Sequence, residues 1–146
     1  MQPCILQVED DEDGAFLIKE LFRETGITNP IHVVTDGQMA IDYLAGAGRF
    51  ANRDSYPLPA LVLLDLKLPK RSGFEVLAWL RQQPGLKKII VIVLTSSSLT
   101  ADINRAYELG ANCFLVKPVE YDETAVLVKS FRDFWLKVNQ TPDLQA

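Results

Sequence analysis

The sequence predicts an α/β fold in which a doubly wound parallel sheet of five strands lies between two helical layers, an α/β/α sandwich. Three observations carry that expectation. Unbroken apolar runs, of which Leu61-Val62-Leu63-Leu64 is the plainest, read as strands buried on both faces. These runs alternate strictly with stretches of helical period. Four of the runs stop at charged or hydroxyl residues, and in open α/β sheets the ligand sits beyond the carboxyl ends of the strands.

Ile5–Val8 is the first strand, and it runs into five consecutive acids, Glu9 to Asp13. Carboxylates favour helix N-termini, so Asp11 or Asp13 should cap the helix over 14–24, leaving Glu9 and Asp10 at the sheet rim. Leu17, Ile18, Leu21 and Phe22 form that helix's apolar face, and Gly26 suits its end. Residues 31–35 are the second strand, with His32 a strand residue rather than a catalyst. Asp36-Gly37 turns the chain, and Met39, Ala40, Tyr43 and Leu44 mark the second helix. Residues 46–59 form a polar loop expected to lie on the surface.

The strand at 61–64 ends at Asp65, and Pro69 and Gly73 break the chain just after it. Phe74, Val76, Leu77 and Leu80 give the third helix. Residues 89–94 are the strongest β-branched run, ending in Thr95-Ser96-Ser97-Ser98. Ile103, Ala106 and Leu109 support a fourth helix closed by Gly110. Cys113–Val116 is the fifth strand, ending in Lys117-Pro118, and a last helix is expected over 122–138.

A chain of 146 residues fits one domain, and a formal charge of −4 does not mark nucleic acid or an anionic membrane as partner. No apolar run approaches the roughly 20 residues that span a bilayer, and no secretory signal is visible, so the expected location is the cytoplasm. The two cysteines read as buried hydrophobes in a reducing compartment, and one histidine without a Cys-x-x-Cys excludes the usual zinc site.

The strand ends bring together Glu9, Asp10, Asp65, Thr95 and Lys117. Hard oxygen ligands without histidine suit Mg²⁺. A carboxylate can act as nucleophile and become an aspartyl-phosphate, with the cation and a lysine neutralising the phosphoryl oxygens. A threonine hydroxyl can donate to a third oxygen. The set meets the needs of phosphoryl transfer to a side chain.

The chain resembles the receiver domains of two-component response regulators from about residue 5 to 134. The motifs are Val8-Glu9-Asp10, the run from Leu63 through Asp65 and Pro69 to Gly73, Leu94-Thr95-Ser96 and Val116-Lys117-Pro118, all in order at strand ends. The resemblance implies the flavodoxin-like receiver fold with strand order 2-1-3-4-5. It implies that Asp65 takes a phosphoryl group from a phosphohistidine of a sensor histidine kinase. Asp10 and Asp65 would then ligate Mg²⁺, with Glu9 acting through a water and Lys67 through its backbone carbonyl. Lys117 would bind the phosphoryl group, Thr95 and Phe114 would act as the switch pair, and the bond before Pro118 would be cis. Ser96 stands where alanine is common. Lys67 and Ser97 are expected to set the phosphoryl lifetime.

The long 46–59 loop and the run from Thr35 to Leu44 look like the small response regulators paired with cyanobacterial phytochrome-type kinases. Residues 1–140 would be a single receiver, 141–146 a polar tail, with no effector domain and output by protein contact. Leu127, Phe131, Phe134 and Val138 form one stripe of the last helix. Its aromatic bulk, with Phe131 and Trp135 singled out, points to a homodimer surface. Three other readings compete. A phosphorelay intermediate would pass the phosphoryl group to a further histidine. An aspartyl-nucleophile phosphatase would favour Asp-x-Asp on the first strand. A flavin carrier would need a phosphate loop after Val8.

Overall fold

The computed structural model describes residues 2–144 and forms one parallel sheet of five strands in the order β2-β1-β3-β4-β5. The strands are β1 (Ile5–Val8), β2 (Ile31–Val34), β3 (Leu61–Leu64), β4 (Ile90–Thr95) and β5 (Cys113–Val116). The helices between and after them are α1 (Glu12–Glu24), α2 (Gly37–Ala45), α3 (Gly73–Arg81), α4 (Thr100–Glu108) and α5 (Tyr121–Phe131). Each strand is thus joined to the next by a helix that returns the chain to the same end of the sheet, as parallel pairing demands.

Burial follows the alternation of side chains along each strand. Leu6 and Val8 point into one apolar cluster with Tyr43 and Leu44 of α2, Val76 and Leu77 of α3 and Ala106 of α4. Ile5, Leu61 and Leu63 point the other way, onto Ile18 and Phe22 of α1 and Val128 and Phe131 of α5. Both faces of the central strands are buried, which is why β3 and the β4 run at 90–94 carry no polar break, while β1 carries one, the buried Gln7.

The helix starts come from short-range side-chain bonds. Asp11 caps α1 by accepting from Asp13 N at 3.2 Å, and Asp36 caps α2 by accepting from Met39 N at 2.7 Å. Ser72 and Glu75 form a reciprocal capping box at the start of α3.

Three expectations need correction. The last helix does not run regularly to Val138. Beyond Phe131 it widens into a π-helix over Arg132–Val138, closed by Asn139 N donating to Phe134 O at 2.7 Å. Wider turns rotate the later residues away from the stripe an α-helix would keep, so Phe134 is 52% exposed. The 46–59 loop is not simply a polar cover. Phe50 is buried and packs at 5.2 Å from Tyr43 and 5.1 Å from Tyr56, ring centre to ring centre. Arg53 donates to the carbonyls of Tyr43 and Leu44 at 2.7 and 2.8 Å, closing the C-terminal end of α2. The tail, finally, is not wholly polar: Leu144 packs against the core, and, of the tail, residues 145 and 146 lie outside the described residues.

His32 is a strand residue, as expected, with its ring near Tyr43 and Tyr56. Cys4 and Cys113 are both free thiols. No helix among the described residues is long and apolar enough to cross a membrane.

Candidate functional site

The parallel register sets the rim. Val8 pairs with Leu64, and Leu64 with Val93, so Glu9 and Asp65 leave the sheet side by side. Thr95 pairs with Val116, which places Thr95 and Lys117 at the same end of the neighbouring strands.

Asp65 is buried and its two oxygens have different partners. Oδ1 accepts from the Thr95 hydroxyl at 2.8 Å, from Leu66 N at 2.7 Å and from Lys67 N at 3.4 Å. Oδ2 accepts from Lys117 Nζ at 2.8 Å. The same ammonium donates to Glu9, which is only 4% exposed. Asp10 stands in the solvent beside them.

The electrostatics follow from one cation serving two buried carboxylates. Burial pushes the Glu9 carboxyl up to about 7, against the opposing pull of Lys117 and with the Asp65 charge adding to the rise. Burial acts on Asp65 in the same sense but is outweighed by the Lys117 and Thr95 hydrogen bonds, so its pKa lies below the usual carboxylate value. Burial opposes the charge on Lys117, but its two carboxylate partners raise its pKa.

A divalent cation fits this donor set. One carboxylate oxygen from each of Glu9, Asp10 and Asp65 can lie within 4.8 Å of the others, and all are hard oxygen donors. Glu9, crowded by burial and by Asp65, is the group whose charge such a cation would relieve.

Thus Glu9, Asp10, Asp65, Thr95 and Lys117 are brought together as the sequence indicates. Phe114 lies half-buried against the core next to Thr95's strand. Lys67 is exposed, with its amide turned to Asp65. The Ser97 hydroxyl is engaged within its own loop and α4. It donates to Asp102 at 2.6 Å and accepts from Leu99 N at 3.3 Å, a local bond set that starts α4. The bond before Pro118 is trans, not cis. An X–Pro bond has only a small intrinsic preference between the two forms, so the local chain geometry decides, and Lys117 reaches both carboxylates from the trans form.

Phe131 is also corrected: it is 4% exposed and stacks on Phe22 at 5.4 Å, so it belongs to the core of this chain rather than to a docking surface. Trp135 is half-buried, edge-on to the exposed Phe134. The Leu66 amide on Asp65 was not foreseeable from residue types, because a backbone donor leaves no mark in a sequence.

The comparisons with known proteins agree with this geometry. A family model described as the response regulator receiver domain matches residues 5–129. The chain is 39% identical to the probable methanogenesis regulatory protein FilR2 of Methanothrix harundinacea, over 94% of this chain and 86% of that protein. It is 38% identical to the response regulator Rcp1 of Synechocystis, over 94% of this chain and 92% of that protein. The Mn²⁺-bound structure of Rcp1 superimposes with a TM-score of 0.88 at 36% identity, covering 97% of this chain and 99% of that one. The phosphorylated cyanobacterial phytochrome response regulator RcpA gives 0.91 at 36% identity, covering 98% of this chain and all of that one. Its sheet order, its rim carboxylates and these matches together establish that the chain belongs to the response regulator receiver domain family.

Proposed function

We propose that this protein is a phosphoacceptor switch in which Asp65 takes a phosphoryl group from a phosphohistidine of a sensor kinase. The observation that carries the reading is the divided environment of Asp65. Oδ1 accepts from Thr95 and two backbone amides, while Oδ2 accepts from Lys117. Oδ2 therefore keeps a lone pair for attack. In the transfer the P–N bond to the histidine breaks, a P–O bond to Asp65 forms, and the imidazole leaves carrying the electron pair.

Asp65 is below its usual pKa, so it is ionised and nucleophilic at neutral pH. Lys117 would follow the phosphoryl oxygens and neutralise them. Glu9, Asp10, Asp65 and the Lys67 carbonyl would hold Mg²⁺, which when bound supplies charge neutralisation at the phosphoryl group. Thr95 would then exchange its Asp65 bond for a phosphoryl oxygen, and Phe114 would move with it, shifting the population between two surfaces.

The pathway reading is downstream of a phytochrome-type kinase, supported by the likeness to the phytochrome response regulator RcpA. Output by protein contact, in the cytoplasm and as a homodimer through the last helix, completes the reading. With Phe131 in the core, the dimer face falls to Phe134, Trp135 and Val138, of which Phe134 and Val138 are exposed.

The test is labelling by a radioactive small phosphodonor such as acetyl phosphate, with and without Mg²⁺. The parent should incorporate label only with Mg²⁺, and Asp65→Asn should incorporate none. Equal labelling of the two proteins would overturn the assignment.

A further inference from the structure

Between Asp65 and α3 the chain runs through residues 66–72, the loop that carries Lys67. Its far end is tied to its own strand. Gly73 N donates to Leu66 O at 2.9 Å, and a Cβ on Gly73 would lie 2.1 Å from Asp65 O. Its middle is tied to a different element, the first turn of α2. Gly37 N donates to Pro69 O at 3.3 Å. Arg71 Nε donates to Gln38 Oε1 at 3.2 Å, and Lys70 lies 3.7 Å from Asp36 Oδ2. Lys70 adopts a left-handed φ of 66°, which turns the loop toward α2.

Gly37 is the closest point of this contact. A Cβ there would stand 1.9 Å from Arg71 O and 2.6 Å from Arg71 C. Among the glycines with positive φ are Gly26, Gly46, Gly48 and Gly110, but not Gly37. The glycine at 37 therefore serves clearance rather than conformation. Any larger residue must drive α2 and the loop apart by about 1 Å, because packed groups of backbone do not interpenetrate.

We infer that the first turn of α2 positions the loop that follows the phosphoacceptor, with Gly37 as the positioning residue that holds the Lys67 carbonyl in place to ligate the divalent cation. The inference rests on the proposed reading of the rim as a cation-assisted phosphoryl site. Gly37 touches neither cation nor phosphoryl group. It acts through Pro69 and Arg71, as groups behind a metal ligand fix that ligand's direction.

The experiment compares the parent, Gly37→Ala and Gly85→Ala, the last being a glycine with open space around it. Mn²⁺ affinity is titrated by electron paramagnetic resonance, and amide hydrogen exchange over residues 66–72 is followed without any metal. Gly37→Ala should weaken Mn²⁺ binding by about tenfold or more, the usual effect of displacing a ligand's support. Its loop amides should exchange faster, while Gly85→Ala should match the parent in both. Should Gly37→Ala fail to fold, the double variant Gln38→Ala/Lys70→Ala removes the two side-chain ties and should move both readouts in the same directions. A folded Gly37→Ala, or failing that the double variant, with parental affinity and parental exchange overturns this inference alone. A parent that binds no Mn²⁺ overturns the reading of the rim, and this inference with it.

Discussion

Lys117 Nζ lies 2.8 Å from Asp65 Oδ2 and holds Glu9 with the same ammonium, so a single cation is shared by two buried carboxylates. Removing it leaves both without a counter-charge. Breaking a buried ion pair from one side costs about 3 kcal/mol. Lys117→Ala should therefore lose stability on that order in urea denaturation at pH 8 without divalent ions. Added Mg²⁺ should stabilise the variant more than the parent, since the ion no longer competes with an ammonium for Glu9. Equal stabilisation of both proteins would show that Lys117 and the ion do not compete.

Glu9 gives the metal-free fold a pH dependence. Its pKa rises from 4.5 to about 7 on folding, chiefly through burial. The folded chain then binds this proton more tightly than the unfolded chain, so the group favours folding at low pH. That contribution is lost as pH climbs from about 4.5 through about 7. Asp65 acts in the opposite sense and elsewhere: its lowered pKa adds stability above the usual carboxylate range, lost only as pH falls below it. Glu9→Gln should flatten the decline between pH 5 and 7 and leave the variant more stable at pH 8, by on the order of 2 kcal/mol. Urea midpoints across that range, in the presence of a chelator, measure it.

The last helix separates two aromatic roles. Phe131→Ala should cost about 3–5 kcal/mol, because a buried ring stacked on Phe22 is replaced by a cavity. Phe134→Glu should leave the melting temperature nearly unchanged, and on the proposed homodimer light scattering should report a dimer for the parent and a monomer for the variant. A dimer that survives Phe134→Glu would move the interface off this helix.

Lys67 and Ser97 should part company in dephosphorylation. Lys67 is exposed two residues beyond the acceptor, free to screen the phosphoryl group from attacking water. Ser97 spends its hydroxyl on Asp102. Phosphorylated Lys67→Ala should lose its label faster than the parent, while Ser97→Ala should keep the parental half-life. An unchanged half-life in Lys67→Ala would end the lysine's proposed role.

The sheet and the rim are legible in the sequence for a physical reason. Strands covered on both sides are largely apolar, so Leu61–Leu64 and the run at 90–94 declare themselves, and whatever polar residue ends them stands at the ligand edge. Other features depend on bonds that the pattern cannot hold. Phe131 and Phe134 lie at helical spacing, and only the change to π-helical turns sends one inward and the other outward. Ser97 carries the right chemistry for the rim, but Asp102 in the first turn of α4 claims it. Arg53 reads as loop polarity, though its guanidinium is bound to carbonyls of α2. The isomer at Pro118 is not legible from residue type, since an X–Pro bond has only a small intrinsic preference for either form.

The wedge formed by Phe50, Tyr56 and Arg53 also limits how this chain can be remodelled. An insertion of such length would ordinarily be dispensable, since lengthening or trimming a surface loop changes closure entropy only slightly. Here the segment has been absorbed into the interior: it shields Tyr43, flanks His32 and supplies donors to the Tyr43 and Leu44 carbonyls at the end of α2. Trimming it to a tight turn would open a hole beside the β2 edge and unseat the helix whose opposite end steadies the Pro69 turn. The loop thereby acts as a structural member, tying a remote edge of the molecule to its reactive rim.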